Sequence, residues 1–142
     1  AARLIILGDG PDRPELEHLV ETLNLSENVS MPGFVENPYT YYRNASVFVL
    51  SSRWEGLPTV LIEALACGTR VISTDCPSGP REILEHGRWG TLVQFPNESK
   101  LAHAISDVLV TSMPPVGQDF LNRFSLEQSV SKYQSIIERV KN

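Results

Sequence analysis

Short β-branched runs alternate with stretches of helical periodicity along most of the chain. RLIIL (3–7), NVSM (28–31), SVFVLS (46–51), RVIST (70–74) and TLVQF (91–95) read as strands. Several lack polar alternation, which predicts strands covered on both faces, as in a parallel sheet. Between them the apolar spacing predicts helices over about 14–24, 38–45, 58–67, 80–86 and 98–110, with a last one over 126–141. The punctuation agrees, because Pro14, Pro38 and Pro58 stand where a first helical residue would be and Gly68 and Gly87 where helices stop. An order of βαβαβαβαβ followed by helices predicts an α/β fold: a doubly wound, Rossmann-like, mostly parallel sheet flanked by helices, in one domain over residues 1–142. Residues 3–7 already look like a central strand, so the chain is expected to start inside a domain. SMPPVG (112–117) is the one linker-like stretch. The helix after it opens on a Ser125/Gln128 capping-box pattern and repeats apolar residues at Val130, Tyr133, Ile137 and Val140, a stripe that needs a surface to cover.

Composition narrows the partners. With 142 residues, 42% apolar and 20% charged, the chain has the size and balance of a globular domain with a core of its own. Acids outnumber bases 17 to 12, and the bases are scattered, so nucleic acid is not an expected partner. Cys67 and Cys76 show neither metal-ligand nor redox spacing; a buried reduced thiol and a cytoplasmic location are the expectation. His18, His86 and His103 are far apart and form no zinc-type cluster, so no metal is assigned. LIIL and VFVL are too short to cross a bilayer and no basic-then-apolar leader opens the sequence, so no transmembrane segment is expected.

In a doubly wound sheet, ligands lie beyond the carboxyl ends of the strands, where loops enter helices. RWEGLPTVLIEALACG (53–68) has that location, and Pro58 opens a helix whose first amides come from Thr59, Val60 and Leu61. Leu57, at the expected N-cap, has no side-chain oxygen to satisfy them, which leaves them for an anion such as phosphate. Glu63 stands about five residues into that otherwise apolar helix, roughly 7.5 Å along its axis. That is the span from a diphosphate to the ribose of the same nucleotide, and a carboxylate there would accept hydrogen bonds from both ribose hydroxyls. Glu55, eight positions earlier in the loop, can reach the far side of the diphosphate toward a sugar. Periodicity alone leaves other roles open. Glu63 would also be favoured near a helix start by the dipole, or could pair with Arg53 or Arg81, and Glu55 could be a solvated loop residue.

Other motifs carry less. GDGPDR (8–13) has Arg13 where a dinucleotide fingerprint has its last glycine, and it reads as a tight strand-to-helix turn. A P-loop is absent. Of a receiver domain's acidic and lysine positions, Asp9 alone is suggestive. Ser78 and Gly79 stand at another helix start, where capping is the commoner role and a second anion contact the alternative. Trp54, Trp89, Tyr39, Tyr41 and Tyr42 could stack on sugars, although core packing is the commoner fate of such residues.

EGLPTVLIE resembles the E-x7-E motif of the retaining GT-B glycosyltransferases of family 4, many of which build bacterial polysaccharides and lipid-linked oligosaccharides. LIILGDGPDRPELEHLVETLNLSENVSMPGFVENP and ACGTRVISTDCPSGPREILEHGRWGTLV are similar to the segments on either side of that motif, so the resemblance covers about residues 3–110, with a weaker match at the final helix. It implies one half of a GT-B fold, the nucleotide-sugar donor-binding half. It implies that Glu63 binds the donor ribose and that Glu55 contacts the transferred sugar and steadies charge as the glycosidic bond breaks. It further implies that amides near Gly56, Leu57, Thr59 and Val60 hold the diphosphate, and that backbone around Phe34 and Val35 faces the base, uracil offering one donor and two acceptors. The donor is expected to be a UDP-sugar, with no cofactor and no metal, the leaving charge being met by helix dipoles and basic side chains.

Members of the family also carry a preceding strand with a basic loop, and an N-terminal acceptor-binding domain that supplies a histidine. Neither is present here, so weak nucleotide binding and undetectable transfer are expected of this chain alone. The intact enzyme is expected to be peripheral at the inner face of the membrane, and the exposed cleft surface is a candidate for self-association. The alternatives are a non-catalytic Rossmann-like binding or assembly module and a related GT-B epimerase. A phosphorylase would need a cofactor lysine, and Lys100, Lys132 and Lys141 are not at strand ends.

Overall fold

The computed structural model describes residues 2–94, 96–112 and 115–140. Phe95, Met113, Pro114 and Lys141, which fall in the expected last strand, linker and final helix, lie outside them. The chain divides into two compact units, residues 1–38 and 39–142.

The first unit is a βαβ unit: β1 (Leu4–Leu7), α1 (Arg13–Thr22) and β2 (Val29–Gly33). β1 and β2 run parallel, with Leu4 opposite Val29 and Ile5 opposite Ser30, and the register shifts before Leu7 meets Gly33. GDGPDR forms the tight strand-to-helix turn that its composition predicts. Gly8 has φ +100°, the Gly10 amide donates to Asp9 Oδ1 at 2.9 Å, and the Arg13 amide closes back onto the Gly10 carbonyl. Arg13 then ties the unit together, donating to the Met31 carbonyl and to Glu17, each at 2.7 Å. The covered-strand expectation fails for β1: Leu4 and Ile5 are half exposed. Within its unit β1 pairs along one edge, and an apolar run does not by itself supply the second layer that would bury it.

The second unit holds the core. It comprises α2 (Tyr39–Asn44), β3 (Phe48–Leu50), α3 (Thr59–Ala66), β4 (Val71–Thr74), α4 (Pro80–Ile83), a 3-10 turn (Glu85–Gly87), β5 (Thr91–Val93), α5 (Glu98–Val110), α6 (Gln118–Asn122) and α7 (Leu126–Val140). β3, β4 and β5 form a parallel sheet in that order, with β4 central and all four of its residues buried. Strand residues point alternately to opposite faces, and the two faces of this sheet are covered separately. Val71 packs with Leu61, Ala64 and Leu65 of α3 and with Ile83, Leu84, Tyr42 and Phe120. Ile72 packs with Val93 and with Val108 of α5. This is the doubly wound, two-sided arrangement that the element order predicts. The described strands form two separate ladders, β1–β2 in the first unit and β3–β4–β5 in the second.

Polar side chains brace this unit. Arg70, at the entry to β4, donates to the carbonyls of Ser46, Val108 and Thr111 and so satisfies the end of α5. Asn97 caps the start of α5, its side chain accepting from the Lys100 amide at 2.8 Å. α6 was not expected from the sequence. It docks through Phe120, whose ring centre lies 5.1 Å from Trp89 and 5.4 Å from Phe124, and through an Arg123–Glu85 ion pair. Glu85 also accepts from the Trp89 indole at 2.8 Å. The Ser125 hydroxyl accepts from the Gln128 amide at 3.2 Å, as its capping pattern predicts, yet α7 has no buried residue. Cys76 is buried and Cys67 half-buried, both as free thiols.

Candidate functional site

The loop between β3 and α3 and the first two turns of α3 bring six of the expected residues into one segment: Glu55, Gly56, Leu57, Thr59, Val60 and Glu63. They lie past the carboxyl end of β3, where an open α/β sheet places its ligands. Phe34 and Val35 belong to the first unit, just after β2; Phe34 is 80% exposed and Val35 partly buried.

The entry to α3 differs from expectation in two details. Pro58, not Leu57, is the N-cap, with φ −73° and ψ 88°, because proline's fixed φ suits a non-helical flanking residue as well as a first helical one. It makes no side-chain cap. The Leu61 amide is also not available, since it donates to the Pro58 carbonyl at 3.0 Å in a tight first turn. Thr59 and Val60 therefore supply the helix-entry amides that carry no acceptor among the described contacts. With the partial positive charge of a helix N-terminus behind them, two such donors suit an anionic oxygen.

Glu63 is four residues from the first helical residue, roughly 6 Å along the axis. It is partly buried on the same helix that buries Leu61, Ala64 and Leu65. Among the described ion pairs the carboxylates are those of Asp9, Glu17, Asp75 and Glu85; Glu63 is in none. The pairing with Arg81 that the sequence left open is not made, because Arg81 lies over Asp75 at the end of β4 and donates to both its oxygens. That side-chain hydrogen bond, reinforced by the carboxylate's charge, raises the Arg81 pKa. The charge of Glu63 is instead felt by Tyr42 of α2. Burial is the first cause that raises the Tyr42 phenol above its ordinary value, and the nearby Glu63 carboxylate is the second.

Glu55 is held by its surroundings. Ser52 Oγ donates to its Oε1 at 2.6 Å, and Ser78 Oγ donates to its backbone carbonyl at 2.6 Å. The Ser78 hydroxyl is thus not a helix cap, the commoner role its position suggested; α4 has Gly79 as N-cap and no side-chain cap. Tyr42 and Trp89 prove to be core residues, Tyr42 lying edge-on to Phe48 at 5.2 Å and Trp89 against Phe120, while Trp54, next to Glu55, is 75% exposed. Among the described residues no group of three His, Cys, Asp or Glu is placed to hold a metal ion, and no helix is long and apolar enough to cross a membrane.

A family model described as glycosyl transferases group 1 matches residues 1–116. The chain belongs to this glycosyltransferase family. The E-x7-E segment and the loops around it fall inside the matched region. Among curated relatives, this group 1 glycosyltransferase chain is 52% identical over 83 residues to the uncharacterized glycosyltransferase MJ1059 of Methanocaldococcus jannaschii, covering 58% of this chain and 20% of that protein. It is 40% identical over 107 residues to N-acetylgalactosamine-N,N'-diacetylbacillosaminyl-diphospho-undecaprenol 4-alpha-N-acetylgalactosaminyltransferase of Campylobacter jejuni, covering 75% of this chain and 29% of that one. Among solved structures it superposes on Anabaena Alr3699/HepE in complex with UDP-glucose with a TM-score of 0.71 at 25% identity, covering 76% of this chain and 31% of that one. The structures it resembles are GT-B glycosyltransferases, and the chain has the fold of one half of that architecture. It spans about a fifth to three tenths of the length of these relatives.

Proposed function

We propose that the chain is the donor-binding domain of a retaining glycosyltransferase that moves a sugar from a UDP-sugar to a saccharide or lipid-linked acceptor. The observation that carries this reading is the pairing, on one short helix, of an uncapped entry with a partly buried carboxylate one turn deeper that Arg81, engaged with Asp75, does not neutralise. In the proposed complex, the Thr59 and Val60 amides, with the backbone at Gly56 and Leu57, receive the diphosphate. Glu63 accepts from the ribose hydroxyls. As the bond between the anomeric carbon and the diphosphate breaks, negative charge grows on the departing oxygen. Fixed amides and the helix dipole stabilise that charge without reorganising, so no metal is required for it. Glu55 meets the transferred sugar and steadies the positive charge that develops on it. The Anabaena neighbour, solved with UDP-glucose, supports the choice of nucleotide, and the Campylobacter relative, named for a diphospho-undecaprenol-linked acceptor, supports the acceptor class. We place the protein in the cytoplasm on the same reading, its intact form working at the inner face of the membrane.

The test is an NMR titration of the labelled chain with UDP. The expected result is a shift of the amides of residues 55–63 at millimolar nucleotide. No response at that concentration contradicts the reading.

One observation favours a second reading, a module that assembles through its surface. Leu126, Val130, Tyr133, Ile136, Ile137 and Val140 make an amphipathic α7 whose apolar residues are 44–82% exposed. Tight self-association in sedimentation velocity, unchanged by UDP, would support it.

A further inference from the structure

We infer that Ser52 and Ser78 are positioning residues for Glu55: Ser52 aims its carboxylate and Ser78 fixes its backbone. The inference rests on the reading of Glu55 as the group that meets the transferred sugar.

A glutamate in a loop has three side-chain torsions to lose before its carboxylate can serve a defined atom, and each unfixed torsion dilutes the productive geometry. Here that freedom is removed from both ends. Ser52 Oγ holds Oε1 at 2.6 Å, so Oε2 is the oxygen left to face a sugar. Ser52 is itself anchored, because the hydroxyl of Thr74, a buried residue of β4, donates to its carbonyl. The backbone is held independently: Ser78 Oγ donates to the Glu55 carbonyl at 2.6 Å. The next residue, Gly79, approaches so closely that a Cβ there would lie 2.5 Å from both the Gly56 carbonyl oxygen and Pro58 Cδ. Two consecutive residues of the loop after β4 therefore grip consecutive residues of the loop after β3. The grip sits beyond the carboxyl ends of two paired strands and sets Glu55 from the core outward.

The experiment uses the 13C- and 15N-labelled chain with Ser52→Ala, Ser52→Thr and Ser78→Ala. It reads the Glu55 Cδ resonance, the order of the Glu55 side chain, and the affinity for UDP-glucose relative to UDP. Ser52→Ala is expected to move the Glu55 Cδ resonance and lower its side-chain order while Glu63 Cδ and the melting transition stay in place. Affinity for UDP-glucose should fall about fivefold relative to UDP, the effect of one lost positioning hydrogen bond. Ser52→Thr, which keeps the hydroxyl, should restore both. Ser78→Ala should shift the Glu55, Gly56 and Leu57 amides and lower their order. An unmoved Glu55 Cδ resonance with unchanged order in Ser52→Ala overturns the inference, as does failure of Ser52→Thr to restore them. A wild-type chain that ignores UDP-glucose while Glu55 responds to Ser52→Ala leaves the positioning intact and removes the donor-binding reading.

Discussion

Replacing Gly79 by alanine should be among the most damaging single-methyl changes in this protein, and the cost can be divided into two terms. Gly79 has φ +88° and ψ −71°, a region that L residues avoid, which contributes about 1–3 kcal/mol of conformational strain. Its Cβ would also lie 2.5 Å from the Gly56 carbonyl oxygen and from Pro58 Cδ. Neither is the movable end of a flexible side chain, so the loop carrying Glu55 must retreat by roughly 0.5 Å or more, and overpacking of this kind costs about 1–3 kcal/mol. The sum is about 2–6 kcal/mol. Two other glycines isolate the terms. Gly68 has φ +81° but open space around its Cβ direction, so Gly68→Ala carries strain alone, about 1–2 kcal/mol. Gly90 lacks the positive φ, but its Cβ would meet Val71 Cγ2 at 2.5 Å and the Val71 carbonyl oxygen at 2.9 Å, so Gly90→Ala carries overpacking alone, about 1–3 kcal/mol. Urea denaturation followed by circular dichroism gives the three values, and amide spectra show which loop moves. Gly79→Ala should cost more than Gly68→Ala and should shift the amides of residues 55–57 and 59–60. Equal costs for those two variants, with residues 55–60 unmoved, would refute the close approach and the grip of one loop on the other.

Tyr42 makes the stability of the second unit sensitive to alkali. Its phenol is raised above the ordinary 10.0, so its contribution is complete below about pH 10 and is lost as pH rises through the folded value, the unfolded chain giving up its proton first. The stability gap between wild type and Tyr42→Phe should therefore shift in favour of phenylalanine by up to about 1.4 kcal/mol per pH unit above pH 10, and a constant gap in urea titrations from pH 8 to 11 would contradict this. Phe120 is 5% exposed between Trp89 and Phe124, so Phe120→Ala should cost about 3–5 kcal/mol and red-shift Trp89 fluorescence as α6 loosens. A loss below about 1 kcal/mol would mean that α6 is not part of the core.

The parts of this fold that were legible in the sequence are those written in local pattern. VIST, unbroken by polar alternation and flanked by Gly68 and the Ser78–Pro80 turn, became the wholly buried central strand β4. The Ser125 cap and the turn at 8–13 needed only neighbours a few residues away. Burial of β1 was not legible, because an apolar run states what a strand tolerates and not what covers it. α6 hid behind linker-like composition, its docking resting on Phe120 meeting Trp89, distant in sequence. The α3 entry was legible to within a residue: proline and the absence of a capping oxygen were plain, but whether the first turn would tighten and consume the Leu61 amide was not. Ser78 shows most clearly where local reading ends. A serine beside a glycine at a helix start reads as a cap, and its actual acceptor lies 23 residues away in the loop it fastens.

The central claim, that Glu63 serves a ribose beside an anion held at the Thr59–Val60 entry, is tested most directly by a thermodynamic cycle. UDP and 2′,3′-dideoxy-UDP are titrated into the wild type and Glu63→Ala, with the Thr59 and Val60 amides as reporters. The account predicts that removing both hydroxyls weakens binding to the wild type about tenfold or more and leaves binding to Glu63→Ala unchanged, as expected for a hydrogen bond to a charged acceptor. Equal losses in the two proteins would contradict it.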